Sequence, residues 1–252
     1  MSPADVEPLR AEESPPPSPP LDRATIEGIV RSGRRLLVQG AMGIHASDGL
    51  SGLVAAHRGP SLVGVGTISA VLKTPDMLRN EIRRARRDAN GGYVGVNLMA
   101  AINKGDFELL ARTAIEEKVS FIVQGAGISR EIIRWCREGG VPFVGIVSSG
   151  RLAAMYEKWG AEWVVAEGAE AGGHIGDMDH PLPTLVQEVL AATRLPVIAA
   201  GGVNPDAVAL HLAAGVAGVQ LATRFLACSD GQAHDAFKDM HLRRGEEDVA
   251  II

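Results

Sequence analysis

Short apolar runs recur eight times between Leu36 and Leu221, and each is followed by a segment of helix length. The runs are apolar throughout rather than alternately apolar and polar, which is typical of parallel strands covered on both faces. The predicted strands are Leu36–Gln39, Leu62–Gly66, Tyr93–Leu98, Phe121–Gln124, Phe143–Val147, Trp163–Ala166, Val197–Ala200 and Gly218–Leu221. Eight such strands predict a closed parallel barrel, and an open doubly wound sheet is the alternative.

The segments between the strands have the apolar spacing of amphipathic helices, with capping residues such as Thr74, Ser129 and Asn204 at several starts. The predicted helices are Arg23–Ser32, Asp48–His57, Pro75–Asp88, Asp106–Glu117, Arg130–Glu138, Gly150–Trp159, Pro183–Thr193 and Pro205–Ala214. Strands and helices that alternate in this way predict an α/β fold, a TIM-type (β/α)8 barrel.

The ends and the composition set further limits. Residues 1–22 contain five prolines between positions 15 and 20, which predicts a disordered Pro-rich tail ahead of a single barrel domain over 23–252. A net charge of −5 argues against a general nucleic-acid binder. The N-terminus carries no apolar signal core, and no apolar run approaches the ~18 residues that span a bilayer, so we expect a soluble cytoplasmic protein without a membrane partner. Two distant cysteines and no His, Asp or Glu group with ligand spacing predict no metal site.

Ligands of such barrels bind at the carboxyl ends of the strands. Here strands 7 and 8 end in Gly201-Gly202 and in Ala222-Thr223. Small residues leave backbone N–H groups free to face an anion, which favours a phosphate site, although glycines that only make tight turns are the alternative.

The other strand ends carry amides and one soft apolar side chain. Met42, Asn97 and Gln124 suit a flat heteroaromatic ring such as flavin. His174 follows Gly172 and Gly173 after strand 6, and an imidazole in such an open loop suits proton transfer at neutral pH.

The remaining histidines are weaker candidates. His45 follows strand 1 and is a second candidate to line the pocket. His57 and His211 are interpreted as solvated residues on helices.

At these strand ends the sequence resembles the nitronate monooxygenase family, formerly called 2-nitropropane dioxygenases, and the related FMN-dependent enoyl-acyl carrier protein reductases. The segments that match are Gln39–Gly43, Gly95-Val96-Asn97, Gly125-Ala126-Gly127, Glu167–Gly176, Pro196–Val203 and Gly218–Leu226.

The resemblance implies a barrel that binds FMN, with the phosphate at strands 7 and 8, and proton transfer by His174. The predicted cofactor contacts are Ala41, Met42, Gly43, Asn97, Gln124, Gly172, Gly173, Gly201, Gly202, Gln220, Ala222 and Thr223. It leaves two activities open: oxidation of alkyl nitronates with O2, which is favoured, or reduction of enoyl thioesters with NADH. NAD(P)H as a co-substrate and a homodimer also stay open.

Two departures keep a third hypothesis open. Ala222 stands where the family usually has Gly, and the family continues with a smaller C-terminal helical part that this sequence lacks. A truncated barrel that binds a phosphate or flavin without turnover is therefore the third possibility.

Overall fold

Eight parallel strands close into a barrel in the computed structural model of the protein, which describes residues 15–43, 45–102, 105–173 and 180–245. The strands are β1 (Arg35–Gln39), β2 (Leu62–Ser69), β3 (Tyr93–Met99), β4 (Ile122–Gly125), β5 (Phe143–Val147), β6 (Trp163–Glu167), β7 (Val197–Ala200) and β8 (Gly218–Leu221). β8 pairs in parallel with β1, where Leu36 lies opposite Gly218, so the sheet has no open edge. The predicted (β/α)8 barrel is confirmed.

Helices cover the outside of the barrel. They are α1 (Arg23–Arg31), α2 (Leu50–Ala55), α3 (Pro75–Ala89), α4 (Phe107–Glu116), α5 (Arg130–Gly139), α6 (Gly150–Trp159), α7 (Leu182–Ala192), α8 (Pro205–Ala214), α9 (Thr223–Leu226) and α10 (Asp235–Arg243). None of these helices is both long enough and apolar enough to cross a lipid bilayer.

Some boundaries differ from those expected. β2 continues to Ser69 because residues 67–69 pair with residues 95–97 of β3, although Thr67 and Ser69 interrupt the apolar pattern. α2 begins two residues late, since Gly49 precedes it with a left-handed φ of 76°. α10 was not predicted.

The core has two layers, one inside the barrel and one between strands and helices. At the amino-terminal end of the barrel, Trp163 packs against Phe121 with ring centroids 5.0 Å apart. The indole Nε1 donates a 3.0 Å hydrogen bond to the carbonyl of Leu21, whose side chain is fully buried. Leu21 therefore belongs to the barrel rather than to the predicted disordered tail. Residues 1–14 of that tail lie outside the described residues.

Close packing of α2 on β2 fixes the loop after β1. A Cβ atom at Gly66 would lie 1.9 Å from the carbonyl oxygen of Ser51, and one at Gly64 would lie equally close to that of Val54. Only glycine permits this approach, which holds the start of α2 beside the carboxyl end of the barrel.

Candidate active site

A cavity of about 540 Å³ opens at the carboxyl ends of the strands, where ligands of such barrels bind. Six predicted site residues line it: Ala41, Gly43, Asn97, Gln124, Gly172 and Gly173. The loops after β1, β3, β4 and β6 therefore meet around one space, as expected. Its volume is within the range of small-molecule and cofactor sites.

Two amide side chains at this cavity have buried atoms without partners. Asn97 alternates with Val96 and Leu98, which pack in the outer layer, and so faces the barrel interior. Its Oδ1, and both Oε1 and Nε2 of Gln124, make no hydrogen bond in the described part of the chain. Each such atom costs about 1–3 kcal/mol. Three of them beside one cavity point to a ligand that supplies the missing partners.

The glycine pair after β7 lies against the loop that follows β6. Gly201 and Gly202 have φ values of 77° and 71°, which other residues rarely adopt. A Cβ at Gly201 would lie 2.8 Å from the carbonyl oxygen of Gly168, and one at Gly202 would lie 2.8 Å from Cβ of Glu170. The loop that leads to position 174 therefore starts on the same rim as the glycine pair.

Six predicted contacts are not among the residues that line the cavity: Met42, Gly201, Gly202, Gln220, Ala222 and Thr223. Met42 is 6% exposed and belongs to a small apolar cluster with Ala46 and Leu50, on which Ala222 also packs. Gln220 lies over Gly40, with its side chain 3.2 Å from where a Cβ would stand. Packing within the protein thus accounts for the position of the Met42 side chain.

Sequence reasoning missed Glu167 as a site residue. It is the last residue of β6 and lines the cavity, and burial raises the pKa of its carboxyl to about 7. Tyr156 is the other ionisable residue of the described lining, and burial raises the pKa of its phenol to about 12. The sequence feature that could have identified Glu167 is its position: a carboxylate at the end of an apolar strand, directly before Gly168.

A buried ion pair lies beside the first loop. Lys73 Nζ is 2.8 Å from Asp48 Oδ2, and both side chains are more than nine-tenths buried. His45 Nδ1 lies 2.7 Å from the same Asp48 oxygen and 3.0 Å from Lys73 Nζ. His45 is thus held at the rim by a pair that sequence reasoning did not identify, and it is not among the lining residues.

The predictions for the other histidines differ in how they compare with the structure. His174 lies outside the described residues, although Gly172 and Gly173 just before it line the cavity. The interpretation of His211 as a solvated residue is wrong, because its side chain is 2% exposed and burial lowers its pKa. His57 follows α2 rather than lying on it. The described residues contain no group of three His, Cys, Asp or Glu side chains placed to hold a metal ion.

Comparison with known proteins agrees with this fold. A family model described as nitronate monooxygenase matches residues 32–252. FabK from Thermotoga maritima has a TM-score of 0.74 and 32% identity, over 85% of this chain and 66% of that one. Nitroalkane oxidase from Streptomyces ansochromogenes has a TM-score of 0.70 and 27% identity, over 81% of this chain and 69% of that one.

The curated relatives are longer than this chain. A (3aS,4S,5R,7aS)-5-hydroxy-7a-methyl-1-oxo-octahydro-1H-indene-4-carboxyl-CoA dehydrogenase from Rhodococcus jostii is 29% identical over 77% of this chain and 56% of its own length. A probable nitronate monooxygenase from Staphylococcus aureus is 32% identical over 60% of this chain and 45% of its own length. The chain therefore spans about half the length of these relatives. It belongs to the nitronate monooxygenase family, whose members are flavin-dependent oxidoreductases.

Proposed function

We propose that this protein is an FMN-dependent oxidoreductase that oxidises alkyl nitronates with O2. The observation that carries the proposal is the set of unpartnered amide atoms on Asn97 and Gln124 beside the cavity. The polar edge of a flavin ring offers both donors and acceptors, so it fits amide groups that lack partners.

We assign the ring and the phosphate of FMN to two different regions of the described structure. The amides of Asn97 and Gln124 hydrogen-bond the ring, beside backbone contributed by Ala41, Gly43, Gly172 and Gly173. The phosphate is proposed to bind at the ends of β7 and β8, against Gly201, Gly202, Gln220, Ala222 and Thr223, next to Met42. The left-handed turn of the glycine pair supports this region because it exposes backbone N–H groups.

Bound FMN supplies the redox chemistry, and the protein supplies binding, orientation and proton control. His174 is proposed to orient the substrate and to accept or donate a proton. The apolar part of the lining, which includes Val71 and Ile146, is proposed to limit the access of water to the ring.

A second candidate function is supported by the match to FabK, which covers more of this chain than the nitroalkane oxidase match does. In this second candidate function, the protein reduces enoyl thioesters with FMN and NADH. A third candidate is a barrel that binds flavin or phosphate without turnover.

Stopped-flow absorbance of the FMN-loaded protein separates these candidates. The proposal expects consumption of O2 with ethyl nitronate and no rapid bleaching of the flavin by NADH. Rapid bleaching by NADH that a crotonyl thioester reverses would establish the reductase instead. Protein that binds FMN but shows neither reaction, or that stays colourless after incubation with FMN and dialysis, would leave only the barrel without turnover.

A further inference from the structure

Glu167 places a carboxyl group in the cavity where the neighbouring strands offer nothing to pair with it. It lies opposite Ala200 of β7, and the preceding residue, Ala166, lies opposite Val147 of β5. β5 and β7 contain no titratable side chain over their lengths. No hydrogen bond or ion pair joins the Glu167 carboxyl to another described residue.

The charged groups on the other neighbouring elements face solvent, are occupied elsewhere or are neutral. On α6, Arg151 and Lys158 are exposed, and Glu157 accepts hydrogen bonds from Thr193 and Arg194. On α7, Glu188 lies 3.1 Å from His180 Nδ1 and accepts a backbone hydrogen bond at the start of α6. In the loop after β6, Glu170 accepts from the backbone N–H of Leu182 at 3.1 Å. The Tyr156 phenol on α6 is neutral at any physiological pH because its pKa is about 12. The described lining contains no cation.

A carboxyl in this setting keeps its proton to a higher pH than an exposed one, since burial disfavours the charge and no cation in the described lining offsets that effect. Burial is the cause that raises the pKa of Glu167 to about 7. The neutral form predominates below that pH and has one O–H to donate, whereas the ionised form above it can only accept.

We propose that Glu167 binds the substrate as a neutral hydrogen-bond donor, so that an anionic substrate enters the cavity only while this carboxyl holds its proton. The inference rests on the proposed function and names the group that admits its anionic substrate class. A single proton is involved, so the Kd of an anion rises about tenfold for each pH unit above the pKa of this carboxyl.

Nitrate is the probe, because it is planar like a nitronate and stays a monoanion over the whole range. Its Kd is measured by isothermal titration calorimetry on the FMN-loaded protein between about pH 5.5 and 8.5. We expect a flat Kd at the acid end and a rise of about tenfold per unit at the alkaline end. In Glu167→Gln the amide keeps a donor but cannot titrate, so tight binding should persist at alkaline pH.

His174 is the control, because a protonated imidazole would also favour anions at acid pH. His174→Asn should keep the alkaline rise of the Kd if Glu167 causes it. A rise that persists in Glu167→Gln and vanishes in His174→Asn would overturn the inference, as would a flat profile in the unsubstituted protein.

A second measurement needs neither FMN nor turnover. Carbon-13 NMR of glutamate-labelled protein should show one side-chain carboxyl that titrates near pH 7 and is missing in Glu167→Gln. Titration of that carboxyl in the ordinary acidic range would overturn the inference, even in a protein that oxidises nitronates. Failure to bind FMN would instead refute the proposed function. The NMR titration would then still measure whether the Glu167 carboxyl keeps its proton up to about pH 7.

Discussion

Replacement of Asn97 with leucine should stabilise the protein without cofactor and weaken FMN binding at the same time. Asn97 Oδ1 is buried without a partner, so its removal relieves about 1–3 kcal/mol in the protein without FMN. Leucine has the same number of side-chain heavy atoms and the same branching at Cγ, and the cavity beside residue 97 gives room for its larger methyl groups. When FMN is bound, the same change deletes a hydrogen bond and leaves a polar atom of the ring unpaired. Together these losses amount to about 2–4 kcal/mol, on the order of 30-fold to 1,000-fold in Kd.

Urea unfolding of the apoprotein and quenching of flavin fluorescence measure the two effects separately. Thr67→Val is the matched control: Thr67 Oγ1 is also buried without a partner, but the residue is not part of the cavity lining. The control should show a similar gain in stability with an unchanged Kd for FMN. Loss of apoprotein stability in Asn97→Leu would show that Oδ1 has a partner, and an unchanged Kd would show that Asn97 does not hold FMN.

Three further predictions concern stability and reactivity. Lys73→Met removes the buried cation from Asp48 and leaves the carboxylate only the part-exposed His45 imidazole as an ion-pair partner among the described residues. Urea unfolding at pH 7 should therefore show a loss of up to about 3–5 kcal/mol, most of which Asp48→Asn restores in the double variant. Gly66→Ala forces a methyl group to within 1.9 Å of a carbonyl oxygen and should cost at least about 1–3 kcal/mol, whereas Gly28→Ala on α1, with no atom within 4 Å, should gain about 0.5–1 kcal/mol by the same assay. Cys136 is buried and its thiol pKa is raised to about 12, so it should react with a maleimide only at the rate of unfolding; rapid labelling in native buffer, located by mass spectrometry, would contradict its burial.

The barrel was predictable because its strands are apolar on both faces and are followed by helices, several of which begin at a capping residue. The predicted cap Ser129 makes no side-chain capping hydrogen bond. Asn204 shows how local such a signal is, since its side chain accepts from the N–H of Ala207 three residues later. Elements whose burial depends on distant partners were missed. Leu21 directly follows a run of prolines, and contacts with distant residues, such as Ser120 and Trp163, make it part of the core.

The site was predictable to the extent that it follows from where the strands end. Asn97 and Gln124 could be assigned to the cavity because parallel strands bring their carboxyl ends to one rim. The protonation of Glu167 could not be predicted, because its pKa depends on burial by residues far apart in the chain. The Lys73–Asp48 pair was missed for the same reason, since its partners belong to different loops.

Ala222 shows how the structure explains a departure that the sequence leaves open. Its φ of −123° lies outside the left-handed region that favours glycine, so φ at this position does not require the glycine usual in the family. Its methyl group packs with Met42 and Phe225 in the small apolar cluster beside the cavity. Because that methyl group is occupied in packing, alanine here is compatible with a phosphate bound by the backbone of the neighbouring turn. The substitution is therefore not an argument for a barrel without its cofactor.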